Sequence, residues 1–179
     1  PKPHGYVDGV LLMEMVADAE GDAAPRLNDV EPGAEEARAW HGFLMDQIVR
    51  MLCIGLIHGD LSEFNVLVGR DGLVIIDLPQ AVNAAGNNNA FRMLERDVNN
   101  IRDYCGRFAP ELLATQYAHE IWEHFKNSGL RPGMALTGIF AHDDTPADVD
   151  AVMLQIEEAR KEAEIRQRGR EEAERGAAE

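Results

Sequence analysis

The run His58-Gly59-Asp60-Leu61-Ser62-Glu63-Phe64-Asn65 is followed, twelve residues after its asparagine, by Asp77 at the end of Ile75-Ile76-Asp77. These residue types at this spacing suit phosphoryl transfer from a nucleotide. That chemistry needs a carboxylate to orient the attacking hydroxyl and hard oxygen ligands for the magnesium that neutralises the phosphates. Asp60 is expected to accept a hydrogen bond from the hydroxyl and aim it at the γ-phosphate of ATP. Asn65, through its amide oxygen, and Asp77, through its carboxylate, are the candidate Mg2+ ligands, since this ion favours octahedral oxygen coordination and takes one or two protein ligands. Positioning and charge neutralisation supply most of the catalysis in such transfers. Aspartates also cap strands and turns. The coincidence of features argues against that plainer role: a histidine two before Asp60, an apolar run after Asn65, a turn, then a second apolar run ending on Asp77.

Elements on both sides must hold these groups. Val66-Leu67-Val68 and Leu73-Val74-Ile75-Ile76 flank Gly69-Arg70-Asp71-Gly72, whose Asp-Gly pair signals a hairpin turn. Such a hairpin returns Asn65 and Asp77 to one open end. Ala37, Trp40, Leu44, Ile48 and Met51 lie at helical spacing after Pro32-Gly33 and deliver the chain to Asp60. Phe91, Leu94, Val98, Ile101, Cys105 and Phe108 make a second stripe. Leu113, Tyr117, Ile121 and Phe125 make a third, opened by Pro110 and closed at Ser128-Gly129. All three are read as core. Asp97 falls on the apolar face of the second stripe, where a carboxylate is costly unless hydrogen-bonded. A salt bridge with Arg96 or Arg102 is one way to satisfy it.

Asp60-Leu61-Ser62-Glu63-Phe64-Asn65 together with Ile75-Ile76-Asp77-x-x-Gln80 resembles the RIO family of atypical protein kinases. That family carries a Ser-Glu-aromatic insert in its catalytic loop and lacks Asp-Phe-Gly and Ala-Pro-Glu motifs. Here Leu78-Pro79-Gln80 follows Asp77, and Ser62 stands where many protein kinases place a lysine. Gly59 replaces the arginine of the common His-Arg-Asp triplet, as in aminoglycoside and choline phosphotransferases. Those enzymes typically read His-Gly-Asp-Leu-His-Pro-x-Asn, so Ser62-Glu63-Phe64 favours RIO. A small-molecule phosphotransferase is the alternative, and a non-catalytic nucleotide-binding scaffold is the third.

The resemblance implies an α+β protein-kinase-like fold, with a mainly helical C-terminal lobe and a small catalytic-loop β-hairpin. It implies an ATP- and Mg2+-dependent serine/threonine kinase, or an ATPase in which Asp77 receives phosphate transiently. It implies a protein substrate or the protein itself as acceptor, and a ribosome-assembly particle as partner. It also implies that His58 packs structurally and that Asp97 accepts backbone N–H groups of the catalytic loop.

Val10-Leu11-Leu12-Met13-Glu14-Met15-Val16, after a turn at Asp8-Gly9, would be the last strand of the small lobe running into the hinge. Met13 then guards the back of the adenine pocket, while the Glu14 carbonyl and Val16 amide face the adenine edge. A buried strand without any ligand role reads equally well. No glycine-rich phosphate loop or strand lysine precedes this segment, so the chain is expected to be the large lobe of a longer protein, weakly active or inactive alone. Residues 1–16 are assigned to the last small-lobe strand and hinge, 17–148 to the large lobe, and 149–179 to a helical extension with a frayed end.

The net charge is −15 over 179 residues, of which −13 falls on residues 1–156, because eight Glu offset six Lys/Arg from Glu157 onwards. Such a surface repels nucleic-acid phosphates, so no direct nucleic-acid binding is expected. No run of eighteen or more apolar residues offers a membrane span. Cys53 and Cys105 both sit in helical patterns and are read as buried reduced thiols of a cytoplasmic protein.

Overall fold

The computed structural model describes residues 1–140; the end of the expected large lobe, 141–148, and the extension expected over 149–179 lie outside the described residues. Asp8 and Gly9 both take positive φ, 52° and 82°, the backbone of a tight two-residue hairpin turn. They join β1 (Pro3–Val7) to β2 (Val10–Met13), antiparallel from Val7↔Val10 to Pro3↔Met13 with one irregularity at Pro3/Gly5. Every residue of this hairpin is exposed. The strand expected to run to Val16 therefore ends at Met13 and is not buried. Ala17 then bridges Ala23, and Val68 donates its amide to the Pro25 carbonyl, which guides the chain onto the helical body.

A 3-10 turn at Leu27–Asp29 leads to α1 (Ala34–Cys53), whose first turn carries Glu35 and Glu36 and whose last carries Arg50. Both ends thus complement the helix dipole. Its buried face is Ala37, His41, Leu44, Met45, Ile48, Val49 and Leu52. Trp40 and Met51, expected on the stripe, are half-buried at its borders. Cys53 is exposed, contrary to the sequence reading, because it lies a full step round the helix from Leu52; Cys105 is buried, and burial pushes its thiol up to about 12.

β3 (Leu56–Ile57) follows, then β4 (Val66–Gly69) and β5 (Gly72–Ile75), which form the expected hairpin. The register Gly69↔Gly72 centres its turn on Arg70-Asp71, one residue earlier than the Asp-Gly signal suggests. Gly72 takes up the twist at φ 119°. β6 (Val82–Asn83) pairs with β3, and the three two-stranded antiparallel sheets stay separate.

α2 (Ala90–Gly106) buries Leu94, Asp97, Val98, Ile101, Tyr104 and Cys105 against α1. The Tyr104 hydroxyl reaches the carbonyls of Leu27 (2.6 Å) and Val30 (2.8 Å), tying α2 to the segment before α1, and burial raises it to about 12. Pro110 opens a 3-10 turn, Pro110–Ala114, rather than the third helix. Thr115 is extended and its hydroxyl takes the Leu112 carbonyl at 2.6 Å, so α3 restarts at Tyr117 and ends at Lys126. Leu113 is consequently half-exposed and Leu112 is the residue that turns inward. Glu120, only 8% exposed, accepts the amides of Thr137 and Gly138 and secures the last described segment on α3. Helices and small antiparallel sheets together make the expected α+β class. Among the described residues no helix is long and apolar enough to cross a membrane.

Candidate active site

One turn of α2 presents three polar side chains to the loop that carries Asp60. Asp97 is 2% exposed. Its Oδ2 accepts the Gly59 amide at 2.8 Å and its Oδ1 the Leu61 amide at 3.0 Å. Arg102 pairs instead with Asp103 at 2.7 Å. Burial raises the Asp97 carboxyl, while the two amides, His58 and Arg96 pull the other way. Arg96 Nη2 donates to the Gly59 carbonyl, and Asn100 Nδ2 donates to the Leu61 carbonyl at 2.9 Å.

Only glycine lets the loop approach this closely. Gly59 has φ 81°, and a Cβ there would lie 2.8 Å from the Gln80 carbonyl oxygen and 2.7 Å from the Met93 methyl. The residue that replaces arginine in the triplet is therefore required by packing.

His58 is 1% exposed and bridges the two halves of the motif. Its Nε2 donates to the Ile76 carbonyl at 3.0 Å while its Nδ1 accepts the Asp60 amide at 3.3 Å. This is the structural packing role expected of it. Asn65 Nδ2 donates to the Asp60 carbonyl at 2.8 Å and lies 3.5 Å from Asp60 Oδ2. With its NH2 so engaged, the amide oxygen of Asn65 is the end left to accept a cation.

The Asn65 carbonyl receives the Ile76 amide at 3.0 Å, extending the β4–β5 ladder by one step beyond Val66↔Ile75. Asp77 comes next and is exposed at φ 68°, ψ 60°. Aspartate is one of the few non-glycine residues that visits this left-handed region. Among the described residues no donor engages its carboxylate. Asp60, Asn65 and Asp77 are thus brought to one end of the hairpin by backbone pairing, with two unengaged oxygen donors for a hard cation. Magnesium completes such a partial protein set with phosphate and water, so the residues fit the ion.

Met13, Glu14 and Val16 are less directly joined to this end. Met13 pairs with Pro3, and the Glu14 amide donates to the Lys2 carbonyl at 2.8 Å. The Val16 carbonyl accepts the Ala24 amide at 2.9 Å. Among the described residues no backbone partner takes the Glu14 carbonyl or the Val16 amide. Glu14 and Val16 line a cavity of about 310 Å³ with the turn from Gly69 to Val74; Met13, Asp60, Asn65 and Asp77 do not line it. The link is through Gly69, where an added Cβ would meet Val16 Cγ1 at 2.9 Å.

Residues 1–118 match the family model described as RIO domain. The chain belongs to the RIO domain family. Its fold is accordingly protein-kinase-like, as the loop motif implied. A RIO-type serine/threonine-protein kinase Rio1 of Haloferax volcanii is 36% identical over 107 residues, covering 60% of this chain and 36% of the relative. Serine/threonine-protein kinase RIO1 of Chaetomium thermophilum is 30% identical over 176 residues, 92% of this chain and 32% of that protein. This chain thus spans about a third of the length of these two RIO relatives. The Rio2 kinase–ADP/Mg2+–phosphoaspartate complex from Chaetomium thermophilum is similar at TM-score 0.49 and 21% identity, over 72% of this chain and 48% of that one.

Asp97 and His58 take the anchoring and packing positions expected of them. Arg96 and Asn100 are loop partners that the sequence did not reveal. The only signal available was their position, one before and three after a buried aspartate on the same helix.

Proposed function

We propose that this chain carries the phosphoryl-transfer site of a RIO-type, ATP- and Mg2+-dependent serine/threonine kinase or ATPase. The observation that carries the reading is the joint restraint of Asp60, Asn65 and Asp77: α2 holds the loop, and the β4–β5 pairing sets Asn65 beside the approach to Asp77. Asp60 orients the attacking hydroxyl or water. Asn65 and Asp77 would hold Mg2+, and the ion, when bound, would neutralise charge on the transferring phosphate. The Glu14 carbonyl and Val16 amide present the backbone acceptor and donor an adenine edge needs. The acceptor is a protein hydroxyl, on a substrate or on the protein itself, or the Asp77 carboxylate in an ATPase-like cycle. Family membership supports this over an aminoglycoside- or choline-type phosphotransferase, and Asp60-dependent transfer is what separates it from a non-catalytic nucleotide-binding scaffold.

Equilibrium binding of ADP, with and without Mg2+, tests the ligand assignment. Binding is expected to require the ion and to weaken about tenfold or more in Asn65→Ala or Asp77→Ala. Equal affinity in EDTA, or in both variants, would contradict it.

A further inference from the structure

Each peptide group from Gly59 to Leu61 is met by a side chain. The amides of Gly59 and Leu61 go to Asp97 and that of Asp60 goes to His58. The carbonyl of Asp60 goes to Asn65, that of Gly59 to Arg96 and that of Leu61 to Asn100. The motif already explains Asp97, His58 and Asn65. Arg96 and Asn100 stand outside it. They are four residues apart, so they lie one turn apart on the same side of α2. From there they reach the two carbonyls that bracket Asp60. Because a peptide unit moves as a plane, holding a carbonyl also fixes the amide on its other side: the Gly59 carbonyl sets the Asp60 amide, and the Leu61 carbonyl sets the Ser62 amide. The donor on the Gly59 side is a guanidinium, which makes that hydrogen bond charge-assisted.

We infer that Arg96 and Asn100 are positioning residues for Asp60, holding the peptide plane directly before it and the Leu61–Ser62 plane one residue beyond it, so that its carboxylate keeps one direction. This rests on the reading of Asp60 as the group that orients the attacking hydroxyl. The clamp itself is a property of the fold and can be measured apart from catalysis.

The test uses the full-length gene product with Arg96→Met, Asn100→Ala, the double variant, and Arg96→Lys as the conservative replacement. Amide hydrogen exchange is followed at Asp60, whose amide shares the peptide plane of the Gly59 carbonyl, and at Ser62, whose amide shares that of the Leu61 carbonyl, with Leu44 and Ile48 in α1 as reporters of global folding. The double variant is expected to exchange about tenfold or more faster at the two loop amides while the α1 amides keep their protection. Turnover of Mg-ATP is expected to fall about 10- to 100-fold in kcat, with KM for ATP within about twofold, and Arg96→Lys recovers much of the loss. Unchanged loop exchange in the double variant overturns the clamp, whatever the kinetics do. Faster loop exchange with unaltered kcat overturns the positioning role. A wild-type protein without Asp60-dependent transfer overturns the reading of Asp60 and its catalytic consequence, whereas the exchange result still decides whether Arg96 and Asn100 hold the loop.

Discussion

Asp97 Oδ2 lies 2.8 Å from the amide nitrogen of Gly59, thirty-eight residues away in sequence, and its other oxygen holds the Leu61 amide at 3.0 Å. One buried carboxylate therefore fixes the loop that bears Asp60. Asp97→Ala leaves two buried amides without their acceptor, and is expected to cost about 3 kcal/mol or more. Asp97→Asn keeps one acceptor oxygen and turns an NH2 towards the second amide, so it is expected to cost less, about 1–3 kcal/mol. Denaturant midpoints at constant slope measure both. Two variants with wild-type midpoints would remove the anchor role.

Gly59→Ala tests the close approach of the loop to the 3-10 turn Leu78–Gln80. The new methyl meets the Gln80 carbonyl, a backbone atom, and must sit at φ 81°. About 2 kcal/mol or more of destabilisation is expected from strain and overlap together. Gly86→Ala is the control, because nothing lies within 4 Å of a Cβ there. Equal stability of the two variants would contradict the packing account.

His41 gives the fold an acid sensitivity. The side chain is 2% exposed, stands 5.2 Å ring to ring from Tyr117, and its Nε2 has no hydrogen-bond partner among the described residues. Burial, and then the positive charge of Arg102, lower it from 6.5 to about 4. The unfolded chain therefore binds a proton between those values that the folded protein refuses. The His41 contribution to stability is expected to be complete above pH 6.5 and to be lost as pH drops towards 4, by about 3 kcal/mol. In His41→Gln that part of the pH slope should vanish. A slope unchanged by the substitution would place the acid sensitivity elsewhere.

Asp77 sits in left-handed backbone, so backbone and chemistry can be separated there. Asp77→Gly removes the carboxylate while easing the conformation, and its stability is expected to stay within about 1 kcal/mol of wild type. Mg2+-dependent ADP binding is nonetheless expected to be lost. Thermal melts with and without Mg-ADP read both effects, since a ligand that binds the folded state raises the midpoint. A variant that keeps its Mg-ADP shift would remove Asp77 from the ligand set.

The parts of the site that local spacing determines were legible in the sequence. Asp60, Asn65 and Asp77 are linked by one loop and one hairpin, and Asp97 betrayed itself as a charge on an apolar stripe. Arg96 and Asn100 were not legible. Polar residues on a helix look like a solvated face until a distant loop is folded against them. Pro110 misled for a local reason, because the extended Thr115 breaks the helix that its proline seemed to open. Cys53 and Leu113 fit a helical core pattern yet are exposed, because period alone does not fix which edge of a stripe is covered. The bare β1–β2 hairpin shows the same limit, since Val10–Met13 has the composition of a buried strand and is exposed throughout.

Asp60 is proposed to direct transfer of the ATP γ-phosphate at this site. The most direct measurement incubates the full-length gene product with γ-labelled ATP and Mg2+, beside Asp60→Ala, and follows the label. Label is expected on protein or released as phosphate, at least about 100-fold slower in the variant, with acid-labile label pointing to Asp77. Bound nucleotide with no transfer or hydrolysis, or equal rates in wild type and Asp60→Ala, would contradict it.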